Sequence, residues 1–187
     1  EPPDVAMITC IMTYWYLGAK EVVDLVRQVF PRTRIVLGGG YASLCYEHAC
    51  RVIGADLVVG NSGIGRFYEF IEEVCLYPLR LKPDPRDLTG LPYPCFDLYE
   101  SPRFIPIMTS VGCPYRCSYC ATPYRQPRTT RREGPDVVEE IKHWHNSGVN
   151  RFVLYDDSFL FRRDRYAKPL LRGIGEAGLG VSFYNPN

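Results

Sequence analysis

Three cysteines crowd into eight residues of the 187-residue chain: Cys113, Cys117 and Cys120, spaced C-x3-C-x2-C within the run from Gly112 to Cys120. Thiolates so placed are soft metal ligands. Three are one fewer than a closed structural zinc site, or an ordinary electron-transfer iron–sulfur cluster, requires. No fourth cysteine stands at comparable spacing, so a cluster held here keeps one iron open to a cofactor or substrate; a zinc knuckle is the competing reading. The other five cysteines are scattered singly. Cys10, in an apolar strand run, and Cys75, ending an amphipathic helix, read as small core residues, and packing is also the favoured reading of Cys45, Cys50 and Cys95.

The elements that must position these thiols alternate strand and helix. An apolar run at 5–12 predicts a strand, and Val22, Leu25, Val26, Val29 and Phe30 repeat at helical spacing across 16–30, stopped by Pro31. A second strand at 34–37 runs into Gly38-Gly39-Gly40, a weaker helix covers 43–52, and a third strand lies at 57–59. Helix 64–75 carries Phe67, Phe70, Ile71 and Val74 on one face. Residues 77–103 break the rhythm with prolines at 78, 83, 85, 92, 94 and 102, which marks a connection between two domains. Beyond it the pattern predicts a strand at 104–111, the cysteine loop, helix 136–146 with Pro135 in its first turn, strand 151–155, helix 163–177 and strand 180–184. The expected fold class is α/β: a parallel-sheet domain at 1–76, a Pro-rich linker at 77–103, and a second domain of alternating strands and helices at 104–187.

Composition agrees with folded domains. Hydrophobic residues make up 46% and charged residues 23%, which excludes a disordered or fibrous chain. The net charge of +1 gives no global footprint for nucleic acid or an anionic membrane. No run reaches the roughly 18 apolar residues of a membrane span, so a cytoplasmic location without membrane attachment is expected. The start, Glu1-Pro2-Pro3-Asp4, is neither an initiator methionine nor a signal peptide and reads as a fragment boundary. Between 103 and 132 stand Arg103, Arg116, Arg125, Arg128, Arg131 and Arg132 with no acid. They read as a solvated face, or as balance for thiolates, a cofactor carboxylate or an anionic substrate. His143 and His145 flank Trp144 and read as structural residues.

The cysteine spacing, after a strand and with an aromatic before the last cysteine, resembles the radical S-adenosylmethionine (SAM) superfamily. The resemblance implies that 104–187 is a partial TIM-type β/α barrel, its first three β/α units, in which Cys113, Cys117 and Cys120 bind three irons of a [4Fe–4S] cluster while SAM chelates the fourth. It further implies that Tyr119 lies near the adenine. One electron, from a donor of flavodoxin or ferredoxin type, would cleave SAM to methionine and a 5′-deoxyadenosyl radical. In such a barrel the active site lies at the C-terminal strand ends, where the cysteine loop, Tyr155-Asp156-Asp157-Ser158 and Asn185 fall. Asp156 and Asp157 are therefore candidates for the SAM amino group or ribose, with capping of the next element as the alternative.

Residues 1–76 resemble the cobalamin (B12)-binding domain that precedes many radical SAM barrels, which implies a partial flavodoxin-like or Rossmann-like parallel-sheet domain. That fold pairs a Ser/Thr-x-Leu-like motif with a later Gly-Gly, and here Thr9-Cys10-Ile11 is followed by 26 residues and then Gly38-Gly39. Thr9, Ile11, Gly38 and Gly39 are thereby candidates for lining cobalamin, against a plain glycine turn. Residues 55–63 resemble the last strand and turn of that fold, and its histidine motif would lie before Glu1. The expected function is radical SAM chemistry on a small-molecule substrate, with cobalamin-dependent methyl transfer the leading subtype. The alternatives are a methylthiotransferase-like enzyme, and a non-catalytic fragment whose first domain is a degenerate interaction module.

Overall fold

The computed structural model describes residues 1–61, 63–84 and 87–185, so Ser62 of the 55–63 run and Pro85 of the proline series lie outside the described residues. The chain divides into two units, Glu1–Lys82 and Pro83–Asn187. In the first, β1 (Val5–Thr9), β2 (Arg34–Gly38) and β3 (Leu57–Val58) form a parallel sheet in the order β1-β2-β3. Register places Thr9 opposite Gly38 and Leu37 opposite Val58. Ile35, Val36 and Leu37 are all buried, as a central parallel strand covered on both faces demands.

Helix α1 (Tyr16–Val29) seats Ala19, Val23 and Val26 on this core at i, i+4, i+7. Val22, Leu25 and Val29 on its other side are exposed. The helix expected at 43–52 is two, α2 (Gly40–Leu44) and α3 (Tyr46–Val52), because Cys45 between them leaves helical geometry at φ −126°, ψ 44°. Helix α4 (Ile64–Cys75) buries Phe70, and Cys75 at its end is exposed, not a core residue as its position on the amphipathic pattern suggested. Asp56 closes the lower end of this sheet. Its carboxylate accepts the Ile35 N–H at 2.7 Å and bonds to Arg27 and Arg34 at 2.7 and 3.0 Å. Burial alone would push that carboxyl up, but the Ile35 N–H and the two guanidinium groups outweigh it and hold it below its ordinary value.

In the second unit, β4 (Ile105–Ile107), β7 (Arg151–Leu154) and β8 (Ser182–Tyr184) form a parallel sheet in the order β4-β7-β8. Helices α6 (Gly134–Asn146) and α7 (Ala167–Glu176) cross between its strands. Ile105, Ile107, Ile141 and Phe152 are fully buried at its centre, each contributing roughly 1.5–3 kcal/mol of apolar transfer. Within the Pro-rich segment, a turn at Phe96–Leu98 sets Phe96 edge-on to Trp144 at 5.5 Å.

The single strand expected at 104–111 is broken. β4 ends at Ile107, and β5 (Ser110–Val111) pairs antiparallel with β6 (Thr130–Arg131), because a buried acid, Asp156, takes the Thr109 N–H out of any sheet ladder. Helix α7 starts at Ala167 and not at 163, since Arg162 adopts a left-handed conformation and the chain turns before it.

Candidate functional site

The loop that carries the three thiols leaves β5 at Gly112 and ends at the short helix α5 (Thr122–Arg125). Gly112 sits at φ +83°, and a Cβ there would stand 2.4 Å from the Arg128 carbonyl oxygen, so only glycine admits both the turn and the return strand. Cys120 N–H donates to the Cys117 carbonyl at 3.0 Å, tightening the loop between the second and third thiols. Cys113, Cys117 and Cys120 are free thiols, Cys117 exposed and the other two half-buried. Among the described residues no three His, Cys, Asp or Glu side chains are grouped to hold a single metal ion.

Thr122 sits against the third thiol. Its backbone N–H donates to Cys120 Sγ at 3.5 Å, and its hydroxyl donates to Asp157 Oδ1 at 3.2 Å. The Thr122 hydroxyl and N–H hold the Cys120 thiol below its ordinary value, against the opposing effects of burial and the Asp157 charge. The other Asp157 oxygen accepts the Gly112 N–H at 3.0 Å. One carboxylate thus meets the residue before Cys113 and a residue just after Cys120.

Asp156 faces the other way. It is fully buried, and its carboxylate accepts the Thr109 N–H at 3.2 Å, the Thr109 hydroxyl at 2.7 Å and the Ser110 hydroxyl. The SAM contact expected of Asp156 is therefore corrected to an internal anchor that joins the end of β7 to the β4–β5 break. Tyr119 is exposed on the loop, and Tyr115 packs edge-on against Phe161 at 5.8 Å.

The arginine run also divides. Arg132 pairs with the buried Glu140 and donates to the Met108 carbonyl, while Arg131 donates to the Ser158 and Phe161 carbonyls and covers the Tyr166 ring at 4.5 Å. These two brace the hairpin. Arg103, Arg116, Arg125 and Arg128 are exposed. A groove of about 1150 Å³ opens between α6 and α7, lined by Arg131, Arg162, Arg165, Phe161 and Tyr166; none of the three cysteines lines it.

In the first unit the structure brings Thr9, Ile11, Gly38 and Gly39 together at the C-terminal ends of β1 and β2. Cys10 N–H donates to the Gly38 carbonyl, and Tyr41 N–H donates to the Cys10 carbonyl, both at 3.0 Å. A Cβ at Gly39 would lie 2.7 Å from Thr9 Oγ1 and from the Cys10 oxygen, and one at Gly40 would lie 2.2 Å from the Ile11 oxygen. A Cβ at Gly38 would meet open space. Thr9 and Ile11 are exposed beside it, so the strand ends form an open shelf of small and apolar groups. Cys10, beneath the shelf, is buried, which pushes its thiol up.

Sequence reasoning missed Thr109, Ser110, Gly112 and Thr122. Only Thr122 carried a local signal, a hydroxyl two residues past the last cysteine and before Pro123.

Residues 1–67 match the B12 binding domain family, and residues 107–177 match the radical SAM superfamily. An uncharacterized methyltransferase of Pyrococcus horikoshii is 25% identical over an alignment that covers 97% of this chain and 45% of that protein. A ribosomal protein uS12 methylthiotransferase of Pelotomaculum thermopropionicum is 26% identical over 87% of this chain and 37% of that protein. Among solved structures, the radical SAM methyltransferase TsrM from Kitasatospora setae, with tryptophan substrate and a SAM analog bound, superposes with a TM-score of 0.68. That match has 20% identity and covers 95% of this chain and 41% of that one, a likeness of fold. The chain thus spans less than half the length of these relatives.

Proposed function

Because this chain joins a B12-binding domain to a radical SAM domain, we propose that it serves a radical SAM enzyme that transfers a methyl group to a small molecule with the aid of cobalamin. The observation that carries this reading is the cysteine loop: three free thiols at C-x3-C-x2-C, the third accepting the Thr122 N–H. That donor set fits a [4Fe–4S] cluster with one open iron, and Cys113, Cys117 and Cys120 are the residues that would hold it. Cluster and SAM, when bound, supply one-electron cleavage of a sulfonium C–S bond, and the chain supplies position and shelter.

Tyr119 offers an exposed ring for an adenine face. Asp156 fixes the break between β4 and β5 from within, so the loop leaves the sheet from a rigid edge. Arg131 and Arg132 hold the return hairpin through carbonyls and Glu140. The shelf of Thr9, Ile11, Gly38 and Gly39 fits a bulky cobalamin, since the open side of Gly38 presents bare backbone to a ligand. An acidic one-electron carrier of flavodoxin or ferredoxin type is the protein partner this chemistry needs, and the exposed Arg116, Arg125 and Arg128 around the cysteines suit it electrostatically.

The test is anaerobic reconstitution with iron and sulfide, followed by assay of SAM conversion to methionine and by titration with hydroxocobalamin at visible wavelengths. Cluster uptake, SAM turnover and a saturable cobalamin spectrum are expected. A second reading, methylthiolation, is favoured by the similarity to the uS12 methylthiotransferase. Cluster and SAM turnover with no cobalamin uptake would move the assignment to it.

A further inference from the structure

We propose that Asp157 is a positioning residue that closes the cysteine loop, and that it fixes the span across which Cys113, Cys117 and Cys120 present their sulfurs. The inference rests on the cluster reading of those thiols. Its carboxylate accepts the Gly112 N–H on one oxygen at 3.0 Å and the Thr122 hydroxyl on the other at 3.2 Å. Those partners flank the loop, one directly before Cys113 and one two residues after Cys120. A side chain that engages both ends of a ligand loop restricts the distance between them.

The bridge is anchored to the sheet. Asp157 follows the fully buried Asp156, which is bonded to Thr109 and Ser110, and the Tyr155 N–H donates to the Ile107 carbonyl at 2.9 Å. The end of β7 is thereby fixed against the end of β4, and Asp157 extends that fixed frame to the loop. Thr122 completes the relay, because the residue whose hydroxyl Asp157 holds also directs its N–H at Cys120 Sγ. The carboxylate thus holds Thr122, by its side chain, in the orientation that sets its N–H on Cys120 Sγ. Partners that orient metal ligands in this manner change metal affinity roughly 10- to 100-fold when removed.

The experiment compares the reconstituted chain with Asp157→Ala, Asp157→Asn, Thr122→Val and Thr122→Ser. Three quantities are read, all in a Trp15→Phe background: the rate of iron loss to a chelator, the electron paramagnetic resonance (EPR) g values of the reduced cluster, and the urea unfolding midpoint of the second unit from Trp144 fluorescence. Asp157→Ala and Thr122→Val are expected to lose iron roughly 10- to 100-fold faster and to shift the g values. Asp157→Asn, which retains an acceptor for only one of the two donors, falls between them and wild type, and Thr122→Ser restores wild-type behaviour. Wild-type iron retention and g values in Asp157→Ala would overturn the proposal. So would a loss of iron that merely follows the unfolding midpoint in all variants. Failure of the wild-type chain to assemble any cluster would instead overturn the cluster reading, and the positioning role with it.

Discussion

Replacing Asp156 with alanine strands three donors at once. The Thr109 N–H, the Thr109 hydroxyl and the Ser110 hydroxyl all end on this carboxylate, and Thr109, Ser110 and Asp156 are exposed by 5%, 1% and 0%. A buried donor left unpaired costs about 1–3 kcal/mol. The two hydroxyls can rotate towards other acceptors, whereas the backbone N–H cannot, so the loss is expected at about 3–5 kcal/mol, within the range for breaking a buried charged network. The two units need not unfold together, so the assay must see only the second. Trp144 lies in its core and Trp15 lies in the first unit, hence urea unfolding followed by fluorescence in a Trp15→Phe background reports the relevant transition. Asp156→Asn, which retains one oxygen, should lose less than Asp156→Ala. A loss below about 1 kcal/mol for Asp156→Ala would refute the reasoning, because it would mean that the three donors find other partners without strain.

Further outcomes follow from other sites. Gly40→Ala forces a Cβ to within 2.2 Å of the Ile11 oxygen, and should cost about 1–3 kcal/mol in the first unit and weaken cobalamin uptake, read by thermal melting and visible titration. Asp56 has a folded value below its ordinary one, so its contribution is fully present above the ordinary carboxyl range near 3.9 and is lost as pH falls through the lower folded value. Melting temperatures of wild type and Asp56→Asn should therefore converge as the solution is acidified and separate at neutral pH; a constant gap would contradict this. Single alanine variants of Cys113, Cys117 and Cys120 should each abolish stable iron retention, measured as iron and acid-labile sulfide per chain. Arg132→Ala leaves the buried Glu140 carboxylate uncompensated and should destabilise the second unit by about 3–5 kcal/mol.

What the sequence revealed was whatever is encoded locally. The cysteine spacing needs nothing beyond eight consecutive residues, and the strand runs and the buried face of α6, with Val137, Ile141 and Trp144, follow from periodicity. Contacts across the fold were not legible. Asp156 meets Thr109 and Ser110 across 47 and 46 positions, and nothing local distinguishes it from its exposed neighbour Asp157. That pairing is also why an eight-residue apolar stretch does not fold as one strand. Cys75 shows the converse error: it continues a helical pattern, yet it stands where the helix ends and its face runs out of core. The arginines look alike in sequence, and only the structure separates Arg131 and Arg132, which brace carbonyls, Tyr166 and Glu140, from the exposed members of the run.

The most direct test is the EPR spectrum of the anaerobically reconstituted, reduced chain, recorded with and without SAM beside a Cys113→Ala, Cys117→Ala, Cys120→Ala triple variant. A [4Fe–4S]⁺ signal that shifts on adding SAM and is missing from the variant is the expected result, since it requires three cysteine ligands and one open iron. No cluster, or a cluster whose signal SAM leaves unchanged, would contradict the account of the cysteine loop on which the proposed function stands.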